Sequence, residues 1–365
     1  MSRRATVKVA VAVIVLVLVG AACTDGDGDQ AQSPGSQVGQ GGERGLLDVV
    51  KQRGTLRCGV NQTVPGFGFL NPSTNEIEGF DIDFCKAIAA AVLGDPSKIE
   101  LVPITAEERF NALRAGQYDV LVRNTTWTSS RDGAEGISFA HVNFYDGQAM
   151  MVRSGAFSSV EEMDGAPVCV TAGTTTELNL ADYAQALGIQ LQSVTFPSND
   201  EILPAFQAQR CDGWTSDRSQ LAGLKAQFEE QLGALEILPD VMSKEPLAPA
   251  VLDGDSKWYD VVNWVINGVI LAEELEVSSR NVSQEASNPS NPQIGNLLGA
   301  PTEEGQPFDP GLGLEPDFMV GVLTAVGNYG EIFDRNIGPQ TPLGLERGQN
   351  ALWTDGGLMY APPFR

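Results

Sequence analysis

The chain has 365 residues, enough for two domains, and its 42% hydrophobic and 19% charged content excludes wholesale disorder. Acidic residues outnumber basic ones 47 to 23, for a formal charge of −24. A surface that negative repels nucleic acid and anionic lipid, which argues against a nucleic-acid partner.

Arg3, Arg4 and Lys8 precede the apolar run VAVAVIVLVLVGAA (9–22), too short for a membrane span and right for an export signal. The run ends in Gly20-Ala21-Ala22-Cys23, which resembles a bacterial lipobox with Gly20 where a branched aliphatic residue is usual. Residues 1–22 are therefore expected to be a signal peptide and Cys23 the lipidated first residue of an exported protein. Cleavage after Ala22 without lipidation would leave the protein periplasmic. TDGDGDQAQSPGSQVGQGGE (24–43) has almost nothing to bury and predicts a flexible tether with a root-mean-square reach of roughly 25 Å.

From residue 44 strands and helices alternate. TLRCGV (55–60), IELVPI (99–104) and YDVLVR (118–123) read as strands, and FDIDFCKAIAAAV (80–92) as a helix. Thr105 and Glu108 form a capping box opening another helix through Arg114. The pattern restarts with APVCVTAG (166–173), a helix capped by Thr174 and Glu177, LQSVTF (191–196), a helix from Ser198, and CDGWTS (211–216). Two parallel α/β units imply two lobes, with FYDGQAMMVR (144–153) and SKEPLAPAV (243–251) as the crossovers between them. The expected boundaries are 44–146 for the first lobe, 147–246 for the second, and 247–365 for a return to the first. In that return, apolar helical sequence covers 257–275, and one helix is expected near 317–333.

Cys58, Cys85, Cys169 and Cys211 are an even set in an exported chain and read as two disulfides. Spacing leaves three pairings open, and the two-lobe reading favours Cys58–Cys85 and Cys169–Cys211, since any other pairing joins the lobes. With no CxxC pair and His141 the only histidine, no metal site is expected.

Open α/β sheets bind ligands beyond the carboxyl ends of their strands. RNTTWTSSRD (123–132) lies at such an end and offers Arg131 as a fork for a carboxylate, the hydroxyls of Thr126, Thr128 and Ser129, the Asn124 amide and Trp127 as an apolar wall. In the second unit, Gly173-Thr174-Thr175 opens a helix whose N-terminus suits an anion, and Asp217 follows the last strand. Alone, each reads equally well as a surface loop, a helix start or an N-cap. Together they match a zwitterion, with the carboxylate on Arg131, Thr126 and the Thr175 N–H, and the ammonium on Asp217.

GTLRCGVN, GFDIDFCKAIAAAV, RNTTWTSSRD, GTTTELNLADY, RCDGWTSD, SKEPLAPAV, AVGNYGEIFDRN and ALWTDGGLMYAPP occur in that order. In their number and spacing they resemble the family 3 bacterial extracellular solute-binding proteins, and within these the general L-amino-acid-binding subgroup. The resemblance implies an α/β, two-lobed periplasmic-binding-protein fold of type II. It implies a monomer without cofactor that captures free L-amino acids and delivers them to an ABC transporter permease, touching the membrane only through its lipid anchor. It places the carboxylate-binding arginine on Arg131, the hydroxyls on Thr126 and Thr175, the ammonium-binding aspartate on Asp217 and a further contact on Asn124. The chain departs from many relatives in having Asn61 and Val64 where an acidic residue and a stacking aromatic are usual. Phe67, Phe69 or Trp127 are left to supply the wall, and broad specificity is expected. A dehydratase-like enzyme on the same fold would need a general acid or base near the cleft, and His141 reads instead as a packing residue beside the crossover. A ligand-sensing module docked to a membrane protein is the other alternative.

Overall fold

The computed structural model describes residues 45–301 and 305–365. The expected signal peptide, Cys23 and the tether lie outside the described residues. Among the described residues no helix is long and apolar enough to cross a membrane.

Two sheets carry the fold. The first has the strand order Ile99–Pro103, Leu56–Val60, Val120–Leu121, Ala250–Leu252, Ile137–Phe139. Its first three strands are parallel, and Ala250–Leu252 runs antiparallel to both neighbours. Leu56, Cys58, Gly59 and Val60 are buried on both faces, as a central parallel strand requires. Helix Phe80–Leu93 covers this sheet and is itself buried nearly all round. The reason is the C-terminal region, whose helices Ser256–Glu274, Phe318–Val326 and Tyr329–Asn336 share one core with it.

The second sheet has the order Gln192–Phe196, Pro167–Thr171, Gly213–Asp217, Phe144–Arg153, Leu235–Ile237. The first three are again parallel. Ser243–Leu247 pairs antiparallel with the start of Phe144–Arg153, from Ser243 opposite Gln148 to Leu247 opposite Phe144. The outgoing and returning crossovers are thus one continuous ladder between the lobes. Disulfides join Cys58 to Cys85 and Cys169 to Cys211, each bridge tying a strand to its own lobe.

Local expectations fail where a glycine or a competing bond intervenes. The helix expected near 317–333 is two helices, because Gly327 adopts φ 77° and Asn328 starts a new one with a capping box to Glu331. The helix expected from Thr105 begins at Arg109, although Thr105 and Glu108 do bond to one another. Ser198 makes no side-chain cap on helix Asn199–Gln207. Thr174 caps helix Thr175–Leu187 as expected, but Glu177 reaches past it to accept from the N–H of Gly173. YDVLVR pairs as a strand only at Val120–Leu121. Pattern reading also missed helix Leu46–Arg53 and the three-stranded sheet formed by Thr63–Val64, Gly68–Leu70 and Ile77–Glu78.

Candidate functional site

The carboxyl ends of the parallel strands of the two sheets face each other across a cavity of about 270 Å³. Hydrogen bonds cross the gap at several heights. The Asn124 amide Nδ2 donates to Asp217 Oδ2 at 3.3 Å and to Gln220 Oε1 at 3.4 Å. Asn199 Nδ2 donates to Thr63 O at 3.3 Å, and Arg109 Nη2 donates to Gly173 O at 3.3 Å. A Cβ placed on Gly173 would come 2.9 Å from the Cα of Glu107, so this glycine lets the lobes meet. The cleft is closed.

The first lobe brings three arginines to the cavity, Arg109, Arg123 and Arg131. Arg131, half-buried, donates from Nη1 to the carbonyl of Thr126 at 2.9 Å and lies 5.4 Å from the ring centre of Phe110. Among the described residues it has no ion-pair partner, and burial holds its pKa below the ordinary guanidinium value. Arg123 donates from Nε to Ile104 O at 2.8 Å, and burial lowers it to about 10, with the charge of Asp81 opposing. Arg109 is 2% exposed, and its Nε is buried without a hydrogen-bond partner. Burial, then the charges of Arg131 and Arg123, pull its pKa well down.

Asn124 turns the loop. Its φ of 32° lies in the left-handed region, which asparagine tolerates better than most residues, and its N–H donates to Asp81 Oδ2 at 2.8 Å. Its Oδ1 accepts from Asn61 Nδ2 at 3.2 Å, which leaves Nδ2 for the second lobe. Asp81 is 3% exposed, and burial raises it to about 7, opposed by that N–H and by Arg123.

From the second lobe come Thr174, Thr175 and Thr176 at a helix start, and Asp217. Asp217 ends its strand at the N-cap position of helix Arg218–Leu232, as the alternative reading has it, but its side chain makes no capping bond and is left to the cavity. Burial, then the negative charges of Asp146 and Glu245, push its carboxyl well above the ordinary range. An uncompensated buried carboxylate is what an incoming cation relieves.

Two expected features are placed differently. Trp127 is 41% exposed, stacks on Phe139 with ring centres 6.2 Å apart, and does not line the cavity. Phe67 is inside the first-lobe core against Phe80 and Phe144, and Phe69 is also absent from the wall. Among the described residues no aromatic side chain lines the cavity, whose walls combine amide, hydroxyl and charged groups with Pro103, Ile104, Ala106 and Pro197. The second concerns the threonine hydroxyls. Thr126 Oγ1 and Thr175 Oγ1 donate to Glu245 Oε2 at 2.5 and 2.7 Å, so the one proton each carries is spent on the protein. His141 lies outside the cavity, its Nε2 buried without a partner and its N–H on Asn263 Oδ1 at 2.9 Å. Among the described residues no cluster of His, Cys, Asp and Glu is arranged to hold a metal ion.

Arg109, Gln220 and Glu245 were missed in the sequence. Glu245 left a trace there, because Ser243, Glu245 and Leu247 share one face of a strand whose Leu247 is core. A charge on that face needs buried partners.

Residues 56–269 match the profile of the bacterial extracellular solute-binding proteins, family 3. The chain is 48% identical over 320 residues to the general L-amino acid-binding periplasmic protein AapJ of Rhizobium johnstonii, covering 87% of this chain and 92% of AapJ. It is 48% identical over 322 residues to the glutamate/glutamine/aspartate/asparagine-binding protein BztA of Rhodobacter capsulatus, covering 87% and 93%. Among solved structures it is similar to an ABC transporter periplasmic binding protein from Brucella ovis with glutathione bound, at 44% identity and a TM-score of 0.83, covering 88% of this chain and 99% of that one. The two-lobed fold, the profile match and relatives that span most of its length together make this chain a member of the bacterial extracellular solute-binding proteins, family 3.

Proposed function

We propose that the chain captures free polar L-amino acids outside the cytoplasm by closing its lobes over them, and delivers them to the permease of an ABC importer. The observation that carries this reading is the opposition of charges in one closed cavity. Among the described residues Arg131 has no ion-pair partner on the first-lobe wall, and Asp217 is buried with an elevated pKa on the second. A free amino acid supplies a carboxylate to one and an ammonium to the other, and contacts to both lobes favour the shut state.

In this reading Arg131 takes the carboxylate together with the backbone N–H of Thr175, at a helix N-terminus whose cap is Thr174. The Thr126 and Thr175 hydroxyls shape the wall and present lone pairs, since Glu245 holds their protons. Asp217 takes the ammonium, with Asn124 beside it. The absence of an aromatic clamp suits a range of side chains, and Arg109 and Arg123 suit ligands with a second negative group. The family and the relatives are binding proteins rather than enzymes. The reading includes a monomer with the lobe boundaries given above, tethered by a lipid on Cys23.

Thermal melting against the twenty amino acids tests it. A ligand present at 100 times its Kd adds about 2.7 kcal/mol to the folded state, enough for a clear rise in Tm. The reading fails if no amino acid shifts Tm, or if Arg131→Ala binds the best of them normally.

A further inference from the structure

The returning crossover holds a carboxylate that is no part of the cavity wall. Glu245, 1% exposed, sits in the ladder opposite Asp146. Its Oε2 accepts from Thr126 at 2.5 Å and from Thr175 at 2.7 Å. Its Oε1 accepts from Asn179 Nδ2 at 2.8 Å and from the hydroxyl of Ser243. Thr126 belongs to the first-lobe loop, bridged in the ladder direction to Leu247, whereas Thr175 and Asn179 belong to a second-lobe helix. One buried carboxylate thus accepts hydrogen bonds from both lobes and from the strand that joins them.

That arrangement exists only while the cleft is shut. Thr126 Oγ1 and Thr175 Oγ1 are 3.3 Å apart, and both reach the same oxygen of Glu245. Rotating the second lobe away separates them, and a single oxygen cannot keep both donors. A buried charge that loses donors is costly until water replaces them. Hydrogen bonds to an ionised acceptor are also about twice as strong as neutral ones.

We propose that Glu245 is the closure latch of this protein, a positioning residue on the hinge strand that favours the shut state from outside the ligand cavity. The proposal rests on the reading that ligand capture proceeds by lobe closure. Because the latch touches no ligand, it acts alike on every ligand the cavity accepts, and it acts on the empty protein too.

The test uses the full chain and two readouts. Glu245→Gln keeps the shape but removes the charge and one acceptor, and is expected to raise the dissociation rate of bound amino acids by about tenfold. Association rates and the order of ligand preference stay as they are. Small-angle scattering of the ligand-free variant should show a more open average shape than that of the unsubstituted chain. Asn179→Ala, at a residue outside the cavity wall, should raise dissociation in the same direction, and combining it with Glu245→Gln should add little. If Glu245→Gln folds poorly, Asn179→Ala alone supplies the same dissociation measurement from the second-lobe side. Unchanged dissociation and unchanged scattering overturn the proposal, as does a change confined to one ligand or a lowered Tm with normal dissociation. Scattering of the ligand-free chain needs no ligand, so failure of the amino-acid reading and failure of the latch are distinguishable.

Discussion

Asn124 in the first lobe holds its amide Nδ2 3.3 Å from Oδ2 of Asp217 in the second, and that amide is the carboxylate's one side-chain donor among the described residues. One neutral donor does not stabilise a buried charge, and Asp217 stays well above the ordinary carboxyl range. Burial raises Asp146 as well, to about 6, and Asp81 to about 7. A carboxyl whose folded pKa is raised gives stability that is full below its unfolded value, 3.8 here, and lost as pH climbs through the folded value. The ligand-free protein is therefore expected to lose Tm from about pH 4 to about pH 7. Asp146→Asn and Asp81→Asn should each flatten part of that slope. An ammonium bound beside Asp217 favours its ionised form, so the ligand-induced rise in Tm should grow as pH rises, and that pH dependence should disappear in Asp217→Asn.

Arg131 donates to the Thr126 carbonyl at 2.9 Å, which fixes its fork, and among the described residues no carboxylate pairs with it. Truncating one partner of a buried, hydrogen-bonded charge pair costs about 2–5 kcal/mol. Arg131→Ala should weaken every amino-acid ligand by that amount, read by titration calorimetry. Arg131→Lys should recover only part of it, because an ammonium cannot make the bidentate contact. Recovery to full affinity by lysine would mean that charge alone, and not the fork, holds the ligand.

The lobes, crossovers and disulfides were legible in the sequence because each rests on a local signal. Buried parallel strands such as Leu56–Val60 show as apolar runs, and the crossover Phe144–Arg153 keeps its full expected length. The site was legible at strand ends, where Asn124, Arg131, Thr175 and Asp217 all reach one cavity. Trp127 was not, because an aromatic in a polar loop reads the same whether it faces a ligand or, as here, lies on Phe139. Nor were the proton directions of Thr126 and Thr175, since a hydroxyl's partner depends on a residue up to 119 positions away. Arg109 was hidden inside an ordinary helix start, and only the closed cleft shows that its Nε has no partner.

Each disulfide closes a loop within one lobe, with separations of 27 and 42 residues. The chain-entropy relation gives about 3.5–4 kcal/mol for loops of that size. Cys58→Ala with Cys85→Ala should lower the urea midpoint accordingly and leave the amino-acid Kd almost unchanged, since neither cysteine lines the cavity. A large loss of affinity at low urea would show that the bridge also shapes the cleft.

Trp127 contributes its backbone N–H to Pro246 O at 2.8 Å, while its ring stays half outside. Trp127→Phe keeps the backbone bond and a ring on Phe139, and should leave ligand Kd within about twofold, as for ordinary surface substitutions. A tenfold loss would place the indole on the ligand after all. The same variant assigns any fluorescence change on binding, because a signal that survives it comes from another tryptophan.

Under the proposed function, Arg109 is expected to separate acidic from neutral ligands. Arg109 is 2% exposed and lines the cavity, and among the described residues its guanidinium makes one long hydrogen bond, to Gly173 O at 3.3 Å. Burying a guanidinium with an unpartnered Nε is unfavourable, and a second carboxylate on the ligand relieves it, whereas a side-chain amide relieves it less. Arg109→Gln should therefore weaken glutamate and aspartate by about 1.5–3 kcal/mol more than glutamine and asparagine, the range for a hydrogen bond to a charged group. Competition of each amino acid against a common ligand reads that ratio directly. Equal losses for acid and amide would instead assign Arg109 to the α-carboxylate, alongside Arg131. No loss for either would leave it as a contact between the lobes, acting through Gly173.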